Sequence, residues 1–186
     1  MKISKKLIAI IVAAVAVIAA VVVAAVLISG GDKEKADNKE EEKISNSNTQ
    51  ALIEDFVDAI EENDKDRLYN TYTFIMDYMN EDFEGFVEDW LYDTRNDFEE
   101  YCGENFSINV VYKSEEKISD QEVNELNIEI SDKGYADGRI KEAYETEVVF
   151  EVEGDDGKEE FAGTFYIINY AGEWGIVDCE RSGLAE

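Results

Sequence analysis

Few side chains in this sequence have chemistry to offer, and most of them lie near the C-terminus. In "AYETEVVF" and "GEWGIVD", Tyr144, Thr146, Trp174 and Asp178 fall on one face of alternating strands. There they could line a pocket, with Tyr144 as hydrogen-bond donor, Thr146 as a second hydroxyl, Trp174 as an aromatic wall and Asp178 as a carboxylate. For Asp178, near a strand end, the alternative is a solvated acid. Cys102 and Cys179 are the only thiols, too few for a thiolate zinc site and not in a C-x-x-C spacing. They are either one disulfide or two buried thiols.

The chain has no His, which removes Ser-His-Asp triads and His-based metal sites. Two stretches resemble calcium loops. In "DGRIKEAYE" the register puts Lys133 and Tyr135 at the first ligand positions and Tyr144 at the last, so the ligands fail. "NEDFEGFVEDWL" offers Asn80, Asp82 and Glu84 in front but Leu91 where the closing carboxylate belongs, and it also fits a helix start. No catalytic residue, metal site or cofactor is assigned.

The formal net charge is −28; Lys2, Lys5 and Lys6 precede an apolar run, so the rest of the chain carries −31. Phosphate backbones are repelled by such a surface, and nucleic acid is not an expected partner. Residues 7–28 hold 22 consecutive residues without a polar side chain. As a helix that run is about 33 Å long, enough for a hydrocarbon core of about 30 Å. It exceeds a usual secretory h-region and lacks a small-x-small cleavage pattern, which favours an uncleaved signal anchor over a removed signal peptide. The layout predicts a basic cytoplasmic stub over 1–6, a transmembrane anchor over 7–28, a charged flexible linker over 29–46 and an extracytoplasmic domain over 47–186. In that compartment a Cys102–Cys179 bridge is favoured over two thiols.

The domain reads as α+β, helices packed on a curved, mostly antiparallel sheet. Leu52, Ile53, Phe56, Val57 and Ile60 repeat with helical spacing behind a capping box of Ser47 and Gln50, and Asp64 caps a short continuation. Phe83, Phe86, Val87, Trp90, Leu91, Phe98 and Tyr101 share the face of a longer helix that stops at Gly103. Phe106, Ile108, Val110 and Tyr112 alternate as a strand, and Ser119 with Glu122 boxes the next helix. Centring a turn on Asp155 and Asp156 pairs Tyr144 with Ile167, Thr146 with Phe165, Val148 with Gly163 and Phe150 with Phe161. A second turn at Ala171 and Gly172 sets Ile176 opposite Ile167 and Trp174 opposite Asn169, with Asp178 inward as well.

The order helix, helix, strand, short helix, hairpin and terminal Trp strand resembles the nuclear-transport-factor-2-like superfamily, the cystatin-like cone fold. More narrowly, the chain looks like surface proteins of Gram-positive bacteria that carry this domain behind an N-terminal anchor. "ALIEDFVDAIEENDKDRLYNTY" is similar to the opening helix and its acidic break, and "TFYIINYAGEWGIVD" to the closing hairpin. The resemblance, over about residues 47–180, implies a cone whose interior is a packed core or a small-molecule pocket. Ketosteroid isomerase, an enzyme of that superfamily, is similar only in layout, since its acid and base groups lie inside the cone and the hairpin acids here alternate outward. The expected function is a membrane-anchored, non-enzymatic extracytoplasmic domain binding a small ligand or an envelope protein at the cell surface. Small-molecule binding or isomerase-like catalysis inside the cone is the alternative.

Overall fold

The computed structural model describes residues 46–132, 134 and 139–184. The stub, the apolar run 7–28 and the linker up to residue 45 lie outside them. No helix among the described residues is long and apolar enough to cross a membrane. Element order is α1 (Ser47–Glu62), α2 (Lys65–Thr71), α3 (Ile75–Met79), α4 (Phe83–Cys102), β1 (Phe106–Lys117), α5 (Asp120–Asp132), β2 (Ile140–Gly154), β3 (Lys158–Tyr170) and β4 (Glu173–Leu184). The strands form one curved, unclosed antiparallel sheet in the order β1-β2-β3-β4, so the architecture is α+β.

Local chemistry sets the helix limits. The α1 cap is Asn46, one residue ahead of the expected Ser47, and its side chain accepts from the Asn48 amide at 2.9 Å. Asp64 caps α2 through the Arg67 amide at 2.9 Å, and the Ser119–Glu122 box closes in both directions at the start of α5. Asp82 caps α4 through the Gly85 amide, so the calcium-like stretch is a helix start. Gly103 ends that helix at φ 96°.

The buried stripe of α4 is narrower than the apolar spacing implies. Phe83, Val87, Leu91, Thr94, Phe98 and Cys102 are inward, whereas Phe86 and Tyr101 are 43% and 46% exposed. Those two sit on the flank of the apolar arc: Phe86 stacks on Phe83, and Tyr101 reaches only the edge of Phe161.

Both hairpins pair in the register that their turns dictate, Phe150 with Phe161, Thr146 with Phe165 and Ile167 with Ile176. Ala171 and Gly172 both take positive φ, which matches the twist of the flanking strands and places a non-glycine residue in a left-handed conformation. Phe56, Phe98, Phe150, Phe161 and Phe165, each at 0–1% exposure, fill the space between the helices α1, α2 and α4 and one face of the sheet. A smaller second core lies on the other face, where Val123 and Ile130 of α5 and Ile75 of α3 meet Ile140, Ala143, Ile168 and Tyr170. Gly175 is required where the Tyr72–Thr73 segment crosses β4. The Thr73 amide donates to Ile176 O at 2.9 Å, and a Cβ on Gly175 would lie 2.5 Å from Thr73 N.

Candidate functional site

Strand parity decides which polar groups enter the inner face, and two bulges change the parity that simple alternation predicts. In β1 the pairing shifts between Tyr112 and Ser114, leaving Lys113 as the extra residue. Tyr112 pairs with Val148 on the inner face, and after the bulge Glu115 comes opposite Thr146 and Lys117 opposite Tyr144. Glu115 is thereby turned inward. In β4 the register shifts between the Ile167–Ile176 and Tyr166–Asp178 pairs. The extra residue there is Val177, and the shift turns Asp178 out to the face of Tyr166 and brings Cys179 in opposite Phe165. Asp178 therefore does not line the interior with Tyr144, Thr146 and Trp174.

Helix α1 completes this end of the interior. The Asn46 amide donates to Glu115 Oε1 at 3.1 Å, and the Glu61 carboxylate accepts from the Ile108 amide at the far end of the same strand. Fifteen helical residues span about 22 Å and seven strand residues about 23 Å, so α1 lies antiparallel along β1 with both ends pinned. Thr49, one turn into α1, is 0% exposed.

The hydroxyls of Thr49, Tyr112 and Thr146 are buried and have no hydrogen-bond partner among the described residues. Burial, with a contribution from the Glu54 carboxylate, pushes the Tyr112 phenol up to about 12, so it is a neutral donor at any ordinary pH. Leaving a hydroxyl buried without a partner costs about 1–3 kcal/mol. Tyr112 and Thr146 lie on the inner face of β1 and β2, Glu115 is opposite Thr146, and Thr49 is in the first turn of α1, whose cap is tied to Glu115. Toward the end of the same face the Tyr144 and Trp174 rings lie 5.8 Å apart, and Lys117 pairs with Glu142 at 3.2 Å. The chemistry available is neutral hydroxyl donors, one fixed carboxylate and an aromatic pair.

Thr146, Tyr144 and Trp174 were legible as inner-face residues. Thr49 had a signal, since it lies four residues before Ile53 on the same stripe. Glu115 had none, because a bulge leaves no mark in a run such as "YKSEEK".

The two cysteines are free and buried, and the structure does not bring them together. Cys102 Sγ contacts Val152 O at 3.4 Å, and Val152 pairs with Glu159, whereas Cys179 pairs with Phe165. Six strand residues between those levels separate them by about 20 Å, against a disulfide Cα reach of about 7 Å. The favoured bridge is thus replaced by two thiols in one core, each pushed up by burial.

The acids of the hairpin lie on the opposite face, as their alternation predicts. Burial, then the neighbouring Glu147, Glu116 and Glu180 carboxylates, push Glu145 up from its ordinary 4.5 to about 6. The folded state therefore binds this proton more tightly than the unfolded chain. The penalty for its charge is fully present above pH 6 and is relieved as pH falls through about 6 toward 4.5. Stability against urea is expected to rise by roughly 1 kcal/mol between neutral pH and pH of about 5, the full linkage value being reduced by solvent screening. Glu145→Gln should flatten that rise, and a wild-type stability that falls over this interval would contradict the assignment.

Among the described residues no group of three acidic or thiol side chains is placed to hold a metal ion. Compared with known proteins, the chain matches no protein-family model, no curated protein and no solved structure.

Proposed function

We propose that this chain is a membrane-anchored, non-enzymatic extracytoplasmic domain that binds a small polar ligand at the α1 end of its interior. The observation that carries the reading is the set of partnerless buried hydroxyls of Thr49, Tyr112 and Thr146 around the inward Glu115. A ligand presenting acceptors to the three hydroxyls would satisfy them together, with Tyr144 and Trp174 flanking its entry. The anchor is read from the apolar run 7–28 and the linker from the charged stretch after it. The arrangement of helices on a curved antiparallel sheet with a terminal Trp strand supports the resemblance to the nuclear-transport-factor-2-like cone, in which such an interior site has a natural place.

Native mass spectrometry of the full-length chain, purified in a mild non-ionic detergent, tests the reading. A reproducible extra mass that is released on denaturation is expected. A bare chain mass under both conditions would contradict it.

A further inference from the structure

The face of the sheet turned away from the large core is only partly covered. Helix α5 packs over Ile140, Ala143, Ile168 and Tyr170, and beyond that end the strands present two lateral rows of polar residues. One row runs Glu116, Glu145, Tyr166, Asp178 from β1 to β4, and the next runs Ser114, Glu147, Thr164, Glu180. Carboxylates thus flank β3 on both sides, Glu145 and Glu147 on β2, Asp178 and Glu180 on β4. The β2 to β4 distance is about 9.6 Å, and successive carboxylates along each strand are about 6.6 Å apart. Between them is a trough with Tyr166 and Thr164 as its floor, continuous with an open hollow of about 410 Å³ lined by Ala162, Thr164, Glu180 and Arg181.

Two features set this apart from an ordinary acidic surface. None of the five carboxylates forms an ion pair among the described residues, although Glu151 farther along the same face pairs with Lys158 and Glu142 at the sheet end pairs with Lys117. Like charges directly opposite one another, as in Glu116 and Glu145, destabilise a sheet. Independently, Tyr166 is 6% exposed, its phenol has no hydrogen-bond partner among the described residues, and it feels Glu145, Glu180, Asp178 and Glu147 together. A nearly buried, partnerless donor therefore faces the trough. The carboxylates that bear on Glu145 are Glu147, Glu116 and Glu180, and burial with neighbouring acids displaces both Glu145 and Asp178 upward.

We propose that this trough docks a basic segment of a partner protein, extended along β3, with Lys or Arg at alternate positions between the acids of β2 and those of β4. An extended chain repeats on each side at about 6.6–6.8 Å, the spacing of the carboxylates, so each cation of such a segment meets a pair of acids. The Tyr166 hydroxyl donates to a main-chain carbonyl of the segment. The site is separate from the interior one, on the other face of the sheet.

The test is calorimetric titration of the full-length chain, in a non-ionic detergent at low salt and neutral pH, with a peptide of about eight residues alternating Lys and Thr. Two double variants carry the same change in charge: Glu145→Gln with Glu180→Gln in the trough, and Asp93→Asn with Glu100→Gln on the exposed side of α4. The trough variant should weaken binding about tenfold and the α4 variant less than about twofold. Equal weakening by both variants would mean diffuse attraction to an acidic protein and would overturn the proposal, as would failure of the wild-type chain to bind the peptide. Thermal unfolding of both variants verifies that folding is intact, and the trough variant should be the more stable because it loses facing like charges.

Discussion

Phe165→Ala is expected to destabilise the domain by about 3–5 kcal/mol, the upper range for truncating one buried side chain. Phe165 is 0% exposed and occupies the centre of the sheet, with Thr146 on one neighbouring strand and Cys179 on the other. Its ring meets Phe56 of α1 at 5.0 Å and 88°, and Phe150 of β2 at 6.0 Å and 83°. Both are edge-to-face arrangements, which add to the area they bury. Truncation removes the ring that joins the helical layer to the sheet and leaves a cavity walled by rigid aromatic groups that cannot collapse into it. Urea unfolding should show a much lower midpoint with an unchanged slope. A loss below about 1 kcal/mol would mean that the interior is looser than its packing indicates. Phe86→Ala, at a ring 43% exposed on the flank of α4, is the comparison and should cost far less.

The second large effect concerns function, and its sign in stability is opposite. Thr146 is 0% exposed with its hydroxyl partnerless, and it sits across from Glu115. Valine has nearly the same shape without the unmet polar group. In the ligand-free protein Thr146→Val should therefore raise stability by about 1 kcal/mol, whereas most buried substitutions lower it. The same change removes one anchoring hydrogen bond from the interior site and should reduce retained ligand about tenfold. A residue kept for packing alone would not separate the two measurements in this way.

Much of the fold was legible because its signals are local. The Asp155–Asp156 turn fixes the pairing of the long hairpin, and the alternation of Thr146, Val148, Phe150 and Val152 with acids fixes which side is buried. Asp64, Gly103 and the Ser119–Glu122 box announced their helix limits by chemistry that acts within a few residues. What escaped the sequence is what depends on contacts remote in the chain. The bulges at Lys113 and Val177 reverse strand parity with no local marker; one brings Glu115 in, the other sends Asp178 out and Cys179 in. The five-residue α3 has no side-chain cap, and what places it is the Thr73 contact with β4 rather than its own propensity. The distance between Cys102 and Cys179 follows from the level at which α4 meets the sheet, which no spacing in the sequence records. The proposed interior site was consequently half visible: Thr146, Tyr144 and Trp174 from alternation and Thr49 from its place on the α1 stripe, but not the inward Glu115.

If the partnerless hydroxyls exist to hold a ligand, the mass released on denaturation must depend on them. It is best compared between the wild-type full-length chain and Thr146→Val, both purified under the same mild conditions. A defined extra mass is expected from the wild type and a strongly reduced amount from the variant. Once stripped of ligand, the variant should be at least as stable as the stripped wild type. The same mass in the same amount from both chains, or no released mass from the wild type, would contradict a ligand-holding interior.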